Sequence, residues 1–69
     1  MTDYISEADR IKERLRSATT EADVENVASE ERNTFHEMAA IKGTPAELAT
    51  QIRAFKQLKI NDLRREARR

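Results

Sequence analysis

His36 and Glu37 stand together in the stretch "TFHEMAA", and a histidine followed by a glutamate opens the helical signature in which two histidines one turn apart hold zinc. The second histidine would fall at position 40, where the chain carries Ala40. His36 is the only histidine and there is no cysteine, so the donors a zinc site needs are not present at usable spacing. His36 therefore reads as a solvated side chain on the polar side of its helix. Nucleophilic chemistry has no better footing. The sequence offers no thiol, no serine with an evident base and third partner, and, with a single glycine, no phosphate-cradling loop. No catalytic, cofactor-binding or metal-binding residue is assigned, and the chain is not expected to be an enzyme.

What remains is charge. Thirteen Lys and Arg residues balance thirteen Asp and Glu residues, yet the balance is uneven along the chain. Residues 1 to 50 hold six basic and eleven acidic side chains, residues 51 to 69 seven basic and two acidic. Glu25, Glu30 and Glu37 are expected to offer an acidic face to a basic partner protein, steering its approach. The basic end supplies the alternative: Arg53, Lys56, Lys59, Arg64, Arg65, Arg68 and Arg69 as a phosphate-neutralising surface for DNA or RNA. No aromatic residue is interleaved with Arg64, Arg65, Arg68 and Arg69 to stack on bases. An antiparallel fold-back would also bring Glu21, Asp23 and Glu25 alongside Arg64, Arg65 and Arg68, acids at a helix start and bases at a helix end, where each suits its helix dipole.

The elements that position these groups are helical. Tyr4, Ala8, Ile11, Leu15 and Ala18 recur at spacings of four and three and predict a helix over about 3–18. Opposite charges three apart, Glu7 with Arg10, Asp9 with Lys12 and Glu13 with Arg16, support it. Thr20 with Asp23 forms a shortened capping box that starts a second helix over 21–41, striped by Val24, Ala28, Glu31, Phe35 and Met38. Glu31 interrupts that stripe, either at a solvated edge or paired, across a self-association contact or with a partner's basic side chain. In "KGTPAEL", Gly43 closes one helix, Thr44 caps the next, Pro45 fits the first turn and Glu47 completes Thr-x-x-Glu. The third helix, over 45–66, begins on Leu48, Ile52 and Phe55 and then shifts to Leu58, Ile60 and Leu63. It lies either on a broad buried arc or breaks near Asn61 and Asp62. Leu58 and Ile60, off the first stripe, are candidates with Glu31 for self-association. The same turn can be read as a helix-turn-helix, but Lys42 and Thr44 stand where that motif buries apolar groups, and the would-be reading helix presents few cations.

Together these features predict an all-α domain spanning 1–69, a small antiparallel three-helix bundle with residues 65–69 frayed and a homodimer as its candidate oligomer. No window approaches the apolar length of a membrane span, and the opening lacks a secretory pattern, so a cytoplasmic location is expected. The expected function is a non-catalytic protein–protein interaction module, an adaptor, regulator or inhibitor, with nucleic-acid binding as the alternative and a structural oligomer component as the third reading. In size and highly charged helical character the chain resembles small accessory proteins of bacterial and phage genomes, a likeness that transfers no residue.

Overall fold

A computed structural model describes residues 3 to 68 and shows them all-helical. α1 spans Tyr4–Ser17. Its first turn is held by Asp3, whose carboxylate accepts from the Ile5 and Ser6 amides at 3.1 and 3.2 Å and from the Ser6 hydroxyl at 2.7 Å. Of the predicted stripe Ala8, Ile11, Leu15 and Ala18 are buried, and Tyr4 is half-buried against them. The backbone turns extended at Ala18, and Thr20 caps α2, Glu21–Glu30, by accepting the Asp23 amide at 3.1 Å. Asp23 reaches back not to Thr20 but to Thr19, accepting its amide at 3.3 Å and its hydroxyl at 3.0 Å.

The single helix expected over 21–41 is in fact two, and the expected three-helix count becomes four. α2 ends at Glu30, α3 spans Arg32–Ala40, and Glu31 between them leaves the helical region at φ −96°, ψ 6°. The junction is a kink, because the Glu31 amide still bonds the Val27 carbonyl and the Phe35 amide the Glu31 carbonyl, each at 2.9 Å. Neither proline nor glycine lies there, so the usual backbone causes are absent. The cause we identify is a tertiary one: the Glu31 carboxylate is drawn onto two arginines of α1 while Val24, Val27 and Met38, on either side of it, stay buried.

Gly43 turns the chain, with φ 99°, the only positive φ among the described residues. α4 spans Thr44–Ala67 and starts one residue earlier than predicted. Gly43 itself is the cap, its carbonyl accepting the Glu47 amide at 3.1 Å, and no side chain caps this end. Thr44 is already inside the helix and does not cap it, which is the correction to the Thr-x-x-Glu reading. α4 does not break at Asn61 and Asp62; Ala49, Ile52 and Ile60 are buried along one broad arc flanked by half-buried Leu48, Phe55 and Leu63. At about 1.5 Å per residue α4 spans roughly 36 Å, most of the 44 Å long axis of a molecule only 18 × 16 Å across.

Cross-element pairs fix the directions. Arg64 meets Glu21, Lys56 meets Glu25 and Arg53 lies over Phe35, so α2 and α3 run opposite to α4. Lys12 meets Gln51, and Lys59 donates to the Arg16 carbonyl at 2.9 Å, so α1 runs alongside α4 in the same sense. No helix among the described residues is long and apolar enough to cross a membrane.

Candidate functional site

Between the α2–α3 kink and the middle of α4 the surface folds into a cleft of about 280 Å³. Its apolar floor is made by Ile11, Leu15 and Ile52, all within the buried core, and Phe35 stands half-buried at its side. The rim is cationic. Arg32, the first residue of α3, and Arg53 and Lys56 of α4 line it with His36. Lys56 is matched by Glu25 at 3.5 Å. Arg53 lies 5.9 Å from the centroid of the Phe35 ring, a cation–π arrangement, and His36 tilts against the same ring at 57°. Among the described residues no carboxylate comes within ion-pair distance of Arg32 or Arg53.

Glu31 also borders the cleft, but its charge is spent on α1. Arg10 grips it with two bonds, 3.0 Å to Oε1 and 2.6 Å to Oε2, and Arg14 adds a third at 3.3 Å. Only 12% of the Glu31 side chain is exposed. The hydrogen bonds from Arg10 hold its carboxyl below the usual range, burial opposes this, and the charges of Arg10 and Arg14 add to the lowering. The Arg10 guanidinium is held protonated by Glu31 first and by Glu7 second, the latter at 2.6 Å. Neither the solvated edge nor a contact with a second copy is needed to account for Glu31; the bases it meets are in its own chain.

The acidic trio does not form one face. Glu25 and Glu30 are five positions apart, about 140° around a helix, and they diverge accordingly: Glu25 turns to Lys56 of α4, Glu30 to Arg14 of α1 at 2.6 Å. Glu37 accepts the Tyr4 hydroxyl at 2.8 Å. Leu58 and Ile60 also part. Ile60 is 7% exposed and belongs to the core, whereas Leu58 is 63% exposed, since two residues along a helix differ by about 200°. A paired Leu58–Ile60 contact surface is therefore not what the helix presents.

Of the cations proposed for phosphate binding, Lys56 and Arg64 are matched by Glu25 and Glu21, Lys59 donates to the Arg16 carbonyl, and Arg65 lies 3.9 Å from Asp62. Arg53 belongs to the cleft, Arg68 has no carboxylate partner among the described residues, and Arg69 lies outside them. Sequence reasoning did not single out Arg32 or the Arg53–Phe35 pair. The signal available was the spacing Arg32, Phe35, His36, which places all three on neighbouring turns, but the contact with Arg53 comes only from the fold-back at Gly43. No family model, no curated protein and no solved structure matches the chain.

Proposed function

We propose that the chain is a small cytoplasmic, non-catalytic module that binds another protein stoichiometrically, with the cleft at the α2–α3 kink as its contact. One observation carries this reading: a cleft whose half-buried Phe35 and Ala28 reach solvent opens between two guanidiniums, Arg32 and Arg53, that meet no carboxylate among the described residues. Arginine beside an apolar pocket is the composition that interface hot spots favour. Glu25, Glu30 and Glu37 lean on groups of the same chain, so an acidic-face mode would have to break those contacts first. The nucleic-acid reading loses support for the same reason at Lys56, Lys59 and Arg64.

The test is capture with the whole chain as bait beside its Arg53→Glu variant. A protein retained near one-to-one by the former and lost with the latter is the expected result. Retention unaffected by the substitution, or recovery of nucleic acid that falls away steeply with salt, would end the reading.

A further inference from the structure

Resting on that module reading, we infer that the cleft between the α2–α3 kink and α4 takes an acidic peptide segment of the partner, one large apolar side chain on the floor and a carboxylate on each bank. The size of the cleft argues for a side chain rather than a whole small molecule. Its volume of about 280 Å³ lies just below the range of roughly 300–1,000 Å³ in which small ligands are usually enclosed. The lining argues for an apolar anchor: half-buried Phe35 and Ala28 present the apolar surface of the cleft, and the buried Ile11, Leu15 and Ile52 lie beneath them.

Charge selects the flanking residues. Arg32 stands on the α3 bank and Arg53 on the α4 bank, each without an ion pair among the described residues. The two acids that line the cleft do not compensate them, because Glu25 is engaged by Lys56 and Glu31 by Arg10 and Arg14. A segment with acids on both sides of its anchor meets a guanidinium on each bank, in the planar geometry that arginine offers to carboxylates. A basic segment meets like charge at both. Arg53 is already placed over the Phe35 ring, so little side-chain freedom is lost when a carboxylate arrives.

The probe is a short capped peptide with a central phenylalanine flanked on both sides by glutamates, titrated into the isotopically labelled whole chain and followed by NMR. Two companions accompany it: a twin with lysines for glutamates and a twin with serine for the phenylalanine. Expected are shifts centred on the amides of Arg32, Phe35, Ile52 and Arg53, no binding of the lysine twin, and affinity at least about tenfold lower for the serine twin, since burying a phenylalanine is worth that much or more. Joint Arg32→Glu and Arg53→Glu substitution should weaken the acidic probe about tenfold. Should that variant lose its helical circular dichroism, Arg32→Gln with Arg53→Gln replaces it, with a smaller loss expected in the same direction.

Shifts centred elsewhere, equal affinity for the substituted chain, or no binding overturns the inference. A concentration-dependent doubling of mass in the free chain, abolished by the same substitutions, also overturns it, since the occupant would then be a second copy. Selection of displayed random peptides on the same chain separates this inference from the broader reading. Non-acidic peptides that map outside the cleft would overturn the inference alone. Recovery of no peptide at all would count against both.

Discussion

A carboxylate set into an apolar seam must be paired or it destabilises the fold, and Arg10 and Arg14, one turn apart on α1, provide the pairing for Glu31. Because 44% of Arg10 and 36% of Arg14 remain exposed, solvent screens the cluster and its net contribution is modest. Glu31→Gln is expected to cost about 1 kcal/mol at pH 7 by urea denaturation. The sign of its pH dependence follows from the depressed carboxyl. Stability from Glu31 is fully present above the unfolded value of about 4.3 and is lost as pH falls through the lower folded value. The gap between the variant and the parent chain should therefore close near pH 2; a gap that persists there would mean packing, not charge, accounts for it. Asp3 and Asp23, lowered by hydrogen bonds from Ser6 and Thr19, push acid sensitivity in the same direction. At this scale the sequence was half legible. Glu7–Arg10 and Glu13–Arg16 form as their spacing predicts, at 2.6 and 3.0 Å. Lys12 instead reaches Gln51, because a long flexible cation takes whichever acceptor the neighbouring helix offers.

Elements begin where local chemistry dictates and bend where neighbours dictate. Asp3 and Thr20 cap their helices as short polar side chains do; Asp3 was not singled out, whereas Thr20 could be read as a cap from the chain alone. The kink could not be. The stripe from Val24 through Ala28 and Glu31 to Phe35 and Met38 keeps an unbroken helical period, and nothing in it marks the interruption at Glu31, whose carboxylate meets two arginines of α1. The cleft was hidden for the same reason, since its banks are brought together by that kink and by the turn at Gly43. That turn permits a clean backbone test. A Cβ built on Gly43 would meet nothing within 4 Å, so Gly43→Ala changes no packing. Its cost is the strain of φ 99°, about 1–3 kcal/mol. For a domain this small each kcal/mol lowers Tm by about 4–8 °C, so thermal circular dichroism should show a fall of several degrees. An unchanged Tm would mean the turn relaxes to a conformation open to any residue.

Seen whole, the molecule is a thin stack, 44 Å long and 16–18 Å across, whose core consists mainly of short aliphatic side chains along one continuous line. Such a line is nondirectional: apolar burial favours helices side by side but discriminates weakly between parallel and antiparallel neighbours. The short link at Gly43 sets α4 back along α3, and charge reinforces that direction. Glu21 at the start of α2 meets Arg64 near the end of α4 at 2.9 Å, and Glu25 meets Lys56 further along, so the acid-rich beginning of one helix lies beside the base-rich end of the other. Reversing one member tests this arrangement. Glu21→Arg should lower stability by about 0.5–1 kcal/mol, and so should Arg64→Glu, each by setting like charges together on an exposed, screened surface. The double exchange should recover most of the loss, leaving a coupling energy of about 0.5 kcal/mol that shrinks as salt is raised. Single variants whose costs simply add would show that the two ends do not meet in solution. Arg64 would then be free for phosphate, and the balance between protein and nucleic acid as partner would shift back towards the latter.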